Sequence, residues 1–396
     1  MKGLKNHTIL TLALVLVTLL VASGCKSSTP APQATRAPAV TPAMTSAPAA
    51  TPQPKAAWET KWETTLQEAK KEGVVYVYGP PMPDVRTGWV EGFQKAYPGI
   101  KLDYTALDGG SLGPKVKAEH GGGVYTVDVV VSGTTTILTS VRPYTQPIKP
   151  FMILPEVTDT KLWMEGKHEF ADKAGEINLV FTYATYPAIM YNTELVNPAE
   201  LTSWWDIVKP KWKGKINIWD PVAPGAGGSA IHLWYNHPEL GAPFFKAFVA
   251  NEPVIMRDIR LQVETVGRAK YSLAVAPSTT QVFELQRAGM PIKYSKTPKE
   301  GSWATAGFGS VAMMAKAPNP NAATVFLNWM LGKEGQAIWS KEGDYFSRRL
   351  DIDQSHLPPA LIPEPGAKYI PTWSEDDVTI MRLGARAMWD KAVAGK

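Results

Sequence analysis

The chain has 396 residues, is 44% hydrophobic and 19% charged, and carries a formal net charge of +5 at pH 7. Such a length accommodates two domains with substantial cores or one large α/β unit, and the composition argues against general disorder. Beyond Lys209–Lys215 there is no basic block, so nucleic acid is not an expected partner, and a single cysteine excludes a disulfide framework or a cysteine-based metal site.

Lys2 and Lys5 precede the nearly unbroken apolar run Ile9–Val21, and the small residues Ala22-Ser23-Gly24 stand directly before Cys25. A positive start, an apolar middle and a small-residue cleavage site make a secretory signal over 1–24. The apolar run is short for a membrane span of about 20 residues, so an uncleaved anchor is the lesser alternative. The small residues and Cys25 resemble the lipobox of bacterial lipoproteins, with Ala22 where Leu is more usual. That resemblance implies cleavage before Cys25, diacylation of its sulfur and a lipid anchor on the extracytoplasmic face of a membrane, periplasmic or external. Residues 25–57 follow as a tether rich in Ala, Pro, Thr and Ser, unable to bury enough apolar surface to fold. Its reach runs from roughly 30 Å as coil to about 100 Å extended; a glycosylated stalk is the other reading.

The body begins with a predicted helix whose stripe is Trp58, Trp62, Leu66 and Ala69, ended by Gly73. Val74–Tyr78 reads as a buried parallel strand stopped at Gly79-Pro80-Pro81. Trp89, Phe93 and Tyr97 mark the next helix, and Ile100–Ala106 a second strand ending in Asp108-Gly109-Gly110-Ser111. A weaker helix gives out at Gly121-Gly122-Gly123, and Val127–Val131 is the third strand, running into Ser132-Gly133-Thr134-Thr135. In an open parallel sheet ligands bind beyond the carboxyl ends of the strands. The loops Tyr78–Met82, Asp108–Ser111 and Ser132–Thr135 are therefore expected to line one wall of a cleft.

Ile177–Ala184 reads as one further strand, Tyr271–Ala276 as another and Gly307–Ala315 as a strand returning to the first sheet. Helices are expected over 263–269, 281–287, 322–331 and 335–341. Between these lies Ser203–Ala230: an amphipathic turn, the basic loop Lys209–Lys215, the strand Ile216–Trp219 and a glycine-rich loop opening onto the apolar run Ile231–Tyr235. A strand feeding a glycine-rich turn and a helix start aims backbone N–H groups at one spot, a seat for an anionic or oxygen-rich group. Two α/β lobes follow, 58–182 with 305–350 and 183–304 with 351–396, joined by crossings that imply a hinge and an interlobe cleft.

The ordered set Val77-Tyr78-Gly79, Tyr97-Pro98-Gly99-Ile100, Asp128-Val129, Tyr191-Asn192-Thr193, Ser203-Trp204-Trp205-Asp206, Pro210-Lys211-Trp212-Lys213-Gly214-Lys215-Ile216 and Gly335-Gln336-Ala337 spans almost the whole body. It resembles the extracellular solute-binding proteins of ABC importers, in the subgroup with iron(III)-, organophosphonate- and thiamine-binding receptors. The resemblance implies a two-lobed type 2 periplasmic-binding-protein-like α/β fold that closes on a small-molecule solute and presents it to an ABC permease, with no cofactor and no catalysis. Iron-binding members use a tyrosine pair with a His and a Glu. Matching places Thr279-Thr280, Met82 and Gly133 at those positions, so a tyrosinate iron site is not expected.

The candidate ligand residues are Tyr78, Asp108, Ser111, Ser132, Thr134, Thr135, Tyr183, Tyr186, Asp220, Gly227, Gly228, Ser229, Ser278 and Thr279. Hydroxyls and N–H groups converging on a helix start suit an anionic or oxygen-rich organic solute, and aromatic faces suit its body. Each has a plainer alternative: Asp220 before Pro221 starts a turn, Trp219 is core, and Lys209–Lys215 is a solvated loop. Against the receptor stand a receptor for Fe(III) with a non-tyrosinate site, a sensory binding protein and, least favoured, a lipid-anchored hydrolase. For the last, no Gly-x-Ser-x-Gly elbow occurs.

Overall fold

Fifteen short strands and the helices that cover them are seen in a computed structural model, which describes residues 55–222 and 226–395. The signal, Cys25, most of the tether and Gly225 lie outside the described residues. In chain order the strands are β1 (Val74–Gly79), β2 (Lys101–Ala106), β3 (Val129–Ser132), β4 (Thr145–Gln146) and β5 (Glu169–Phe170). Next come β6 (Leu179–Val180), β7 (Ala184–Thr185), β8 (Ile189–Asn192), β9 (Ile216–Trp219) and β10 (Val254–Met256). The last five are β11 (Leu273–Val275), β12 (Ile292–Tyr294), β13 (Ser302–Thr305), β14 (Ser310–Met314) and β15 (Tyr369–Pro371).

They form three sheets. The first runs β2-β1-β3-β14-β6-β5 with β4 also on β14, the second runs β10-β9-β11-β8-β12, and the third, β15-β13-β7, is built from the segments that pass between the other two. In the first sheet β1 pairs parallel with β2 and β3, as continuous apolar strands linked by helices should. Gly307–Ala315 does return to this sheet, as β14 antiparallel to β3.

Helical periodicity placed the covering helices well. Trp89 and Phe93 of the helix Pro83–Ala96 are fully buried, and Trp89 stacks on Trp339 with ring centroids 5.3 Å apart. Asp128 ties this half together. Its buried carboxylate accepts from the Tyr76 backbone N–H at 2.8 Å and from that of Asn319 at 2.6 Å, so it joins β1 to the start of the helix Pro320–Leu331. Burial pushes that carboxyl up, and the N–H donors restrain the shift. The second sheet has its own aromatic core, where Trp234 packs against Phe244 at 4.9 Å.

Four expectations need correction. Ile177–Ala184 is not one strand: β6 belongs to the first sheet and β7 to the third, so the chain changes sheets within this stretch. The helix expected at 263–269 spans Ile259–Gly267 and stops two residues earlier, with Ala269 at φ 59°. Trp58, expected on a buried stripe, is 38% exposed. Finally, the glycine-rich segment is not a loop as far as Ala230, because the helix Ala226–Asn236 already includes Gly227 and Gly228.

Gly227 is there because the helix begins directly under the end of β9. A Cβ at this position would be driven into the Trp219 carbonyl oxygen and would sit 2.8 Å from that of Asp220. Gly227→Val is therefore predicted to destabilise the protein by about 1–3 kcal/mol, the usual range for overpacking. Urea unfolding should show it, with Gly121→Ala, which meets nothing within 4 Å, as the neutral control.

Candidate functional site

Two neighbouring cavities lie where the three sheets meet. The first, of about 280 Å³, is lined by Gly133, Thr134 and Thr135 after β3, by Ala226 and Ser229 of the helix after β9, and by Tyr186, Trp303, Thr305, Ala306 and Gly307 of the crossing segments. Thr372 and Arg382 complete it. Its walls thus come from both main sheets and from the strands that join them.

Arg382 opens the last helix, Arg382–Ala394. Its Nη1 donates to Thr135 Oγ1 and its Nη2 to the Thr372 carbonyl, each at 3.3 Å, while its buried Nε has no hydrogen-bond partner. Burial lowers the guanidinium pKa from its ordinary value, and nearby Asp377 works in the opposite direction. Asp377 is itself engaged. Its Oδ1 lies 3.0 Å from Nε2 of the fully buried His232, and its Oδ2 accepts from the Ser374 N–H and hydroxyl at 3.0 and 2.6 Å. The cavity lining holds a cation and hydroxyls and no carboxylate.

Tyr186 forms part of the wall with its ring stacked on Trp303, centroids 5.0 Å apart and planes 16° apart. Its hydroxyl donates to the Pro277 carbonyl at 2.6 Å, and burial pushes its pKa up. On the far side of Tyr186, Thr305 and Gly307 lies the second cavity, of about 390 Å³, which shares those three residues with the first. Thr279, Thr280, Phe283 and Arg287 of the helix Thr279–Arg287 line it, with Asp344, Tyr345 and His356 opposite. Gly307 has φ +53°, and a Cβ there would lie 2.6 Å from the Tyr345 ring. Gly307 thus lets the backbone pass close to the Tyr345 ring at a point that lines both cavities.

The structure brings Thr134, Thr135, Tyr186 and Ser229 together in the first cavity and Thr279 into the second. It sends the other candidates elsewhere. Tyr78 turns away to hydrogen-bond Glu119 and Thr126. Asp108 is the N-cap of the helix Gly109–Gly121 and accepts from the Ser111 N–H at 2.8 Å, both residues being exposed. The loops after β1 and β2 miss the cleft because those strands stand towards the outer end of their sheet, whereas β3 is next to β14 in the middle. Ser132 is buried in the β3–β14 pair, its carbonyl accepting from Ser310 Oγ at 2.7 Å.

Tyr183 packs against Trp373 and the Arg348 guanidinium. Asp220 receives the Arg257 Nε at 2.7 Å and the Val222 N–H at 3.0 Å, the second being the expected turn. Gly227 packs under β9, Gly228 is outside both cavity linings, and Ser278 lines a separate surface hollow with Trp219 and Arg257. Lys209, Lys211 and Lys213 are exposed and paired with Asp206, Glu200 and Glu252, a solvated loop. Sequence reasoning missed Trp303, Thr305, Gly307, Thr372 and Arg382. A charged residue on an amphipathic C-terminal helix gives no sign that it faces inward, although Ser302–Thr305 carries a strand-like alternation.

Thr279 and Thr280, matched above to a tyrosine pair, do line the second cavity. The phenols lining the same cavity are Tyr186 and Tyr345, and burial raises the pKa of both, that of Tyr345 to about 12. Among the described residues, no group of three or more His, Cys, Asp or Glu side chains is placed to hold a metal ion. Also among them, no helix is long and apolar enough to cross a membrane.

The sequence pattern of the bacterial extracellular solute-binding proteins matches residues 88–361. The chain belongs to that family. Its fold is similar to that of a Trichodesmium protein in complex with iron and citrate, at a TM-score of 0.62 and 18% identity over 81% of this chain and 99% of that one. It is also similar to AfuA, a periplasmic binding protein of Actinobacillus pleuropneumoniae solved with fructose-6-phosphate, at 0.56 and 18% over 82% and 98%. Iron-bound HitA of Pseudomonas aeruginosa matches at 0.60 and 16% over 81% and 99%. These neighbours are two-lobed periplasmic binding proteins, and the mixed α/β sheets described above form that same architecture. A curated Haemophilus influenzae protein of uncharacterised role is 26% identical over 166 residues, 40% of this chain. The match spans 46% of that relative's length.

The Asp377 pair makes a prediction. Burial favours the neutral acid, but the hydrogen bonds from His232 and Ser374 outweigh it and hold the carboxyl below its usual range. Because the folded pKa is depressed, the pair contributes stability above the unfolded carboxylate range, and that stability is lost as pH falls through the folded value. Asp377→Asn is expected to cost about 1–3 kcal/mol at neutral pH. In urea titrations the gap between Asp377→Asn and the parent protein should narrow as the pH is lowered towards 3.

Proposed function

We propose that this protein is the solute-binding receptor of an ABC importer, capturing a small anionic or oxygen-rich organic solute between its lobes and delivering it to a membrane permease. The observation that carries this reading is the composition of the first cavity, where the hydroxyls of Thr134 and Thr135, just after a strand of the first sheet, and of Ser229, on the helix after a strand of the second, line one space with the crossing strands. A solute held there contacts both halves at once, so binding free energy favours the closed state over the open one. Membership of the solute-binding family supports the same reading. The role requires no catalytic step.

The first lobe takes residues 58–182 and 305–350 and the second 183–304 and 351–396, with the crossings of the third sheet as the hinge. The C-terminal part shares in both. Trp373 Nε1 donates to Glu169 Oε1 at 3.1 Å and the Glu375 N–H to the Ala171 carbonyl at 2.7 Å, whereas Trp389 is buried with Phe248 and Trp234. Cys25 carries the lipid anchor, and the Pro-rich segment after it lets the body reach the permease from the extracytoplasmic face.

Thermal unfolding in the presence of candidate solutes tests capture. A true solute at a hundredfold excess over Kd should stabilise the protein by about 2.7 kcal/mol. Small-angle scattering should show a smaller radius of gyration on binding, and turnover of a bound compound would refute the receptor. For the anchor, Cys25→Ala should move the protein from the detergent phase to the aqueous phase in a phase-partition assay.

A further inference from the structure

The most unusual group in the cleft is Arg382. A half-buried guanidinium such as this one ordinarily still finds a carboxylate or several carbonyls. Here, two long bonds of 3.3 Å to Thr135 and Thr372 are all that is made, and Nε is buried and unpartnered. The carboxylate that could neutralise it, Asp377, is drawn off by His232 and Ser374. Facing groups from the other elements are Thr134, Thr135 and Ser229, all hydroxyls, with no acid in the wall. A half-buried cation with an unused buried donor, ringed by hydroxyls, is a fork for the oxygens of an anion.

The second compartment bears on what else the anion must carry. A bare oxyanion fills only a fraction of the first cavity, and the adjoining larger one, which shares Tyr186, Thr305 and Gly307 with it, is lined by Phe283, Thr279, Thr280, the exposed Arg287 and one acid, Asp344. We infer that Arg382 anchors the oxyanion head group of an organic solute whose body extends past Tyr186 and Gly307 into the second compartment. The inference rests on the receptor reading above and narrows it to organic oxyanions, phosphate-, phosphonate- or carboxylate-bearing. Arg382 supplies the charge, Thr134, Thr135 and Ser229 the additional donors, and the Tyr186–Trp303 stack one face for the body.

Isothermal titration and thermal shift on the purified protein test it, in arms that separate the head groups. Fructose 6-phosphate, glycerol 3-phosphate, 2-aminoethylphosphonate and citrate serve as organic oxyanions, inorganic phosphate as the bare ion, and fructose and glycerol as neutral counterparts. An organic oxyanion should bind, more tightly than inorganic phosphate and with no binding of its neutral counterpart. Arg382→Gln should weaken that binding by about thirtyfold or more, as for truncation of a buried charge partner, and Arg382→Lys by less. Thr135→Val, which keeps the charge, should weaken it by roughly five- to tenfold. Arg386→Ala, an exposed cation on the same helix, should leave affinity unchanged and controls for net charge.

Oxyanion binding retained within threefold in Arg382→Gln would overturn the assignment, as would inorganic phosphate binding as tightly as any organic oxyanion. If a neutral solute or Fe(III) stabilises the protein and no oxyanion does, the oxyanion inference falls while the receptor stands. If a library of solutes of both charge classes gives no stabilisation at all, the receptor reading falls with it.

Discussion

A clamp of paired strands and a buried guanidinium holds the crossing segments together. The chain passes between the two main sheets at β7, β13 and β15, and these pair directly: Ala304 lies opposite Thr185 on one side and Pro371 on the other. Beside them the Arg348 guanidinium, 1% exposed, sits over the Tyr183 ring at 5.6 Å and the Trp373 ring at 5.7 Å. All three of its side-chain nitrogens lack hydrogen bonds, and its nearest carboxylates are Glu169 at 3.6 Å and Glu165 at 3.9 Å. Attraction to two desolvated ring faces is of the order of 2 kcal/mol each at best. It joins the residue that precedes β7 to the segment that follows β15. Because the crossings are held in register this way, the residues on either side of them meet at a defined place.

That place is the cleft. Gly133–Thr135 leaves the end of β3, Ala226–Ser229 begins the helix after β9, and Thr305–Gly307 leaves the crossing strand β13. None of these segments could form a site alone, since each offers one or two hydroxyls or N–H groups to solvent. Brought together around Arg382, they make a pocket whose polarity is one-sided: donors and a cation, with the nearby acid already committed to His232. Arg348 has two ring faces and the carboxylates of Glu169 and Glu165 near its charge, whereas Arg382 has two hydrogen bonds of 3.3 Å and a buried Nε without a partner, an arrangement that adds little to stability. Its persistence makes sense if a ligand supplies the missing acceptors.

Much of the architecture was legible in the sequence because it is encoded locally. Trp89, Phe93 and Tyr97 announce a helix by spacing alone, Val74–Tyr78 a buried strand by its unbroken apolar run, and Ser203-Trp204-Trp205-Asp206 an amphipathic turn, which the structure closes with a capping box. Non-local facts were not legible. The loops at Tyr78–Met82 and Asp108–Ser111 were expected in the cleft on the same argument as Ser132–Thr135. Only strand order, with β2 at the edge and β3 beside β14, separates them. Asp220 looked available because its partner, Arg257, is 37 residues away in sequence. Arg382 stands 247 residues from Thr135, on a helix whose other charges face water. What a short window cannot contain is which distant segment arrives beside it.

In the proposed closed state one solute is gripped by four separated segments at once. Hydrogen–deuterium exchange with and without a stabilising solute reads this directly, since it reports every backbone amide in the same experiment. Slowed exchange should concentrate in 133–135, 226–229, 303–307 and 372–382, with the edge loops 79–82 and 108–111 unchanged. Protection confined to one segment, or centred on those edge loops, would contradict that four-segment grip.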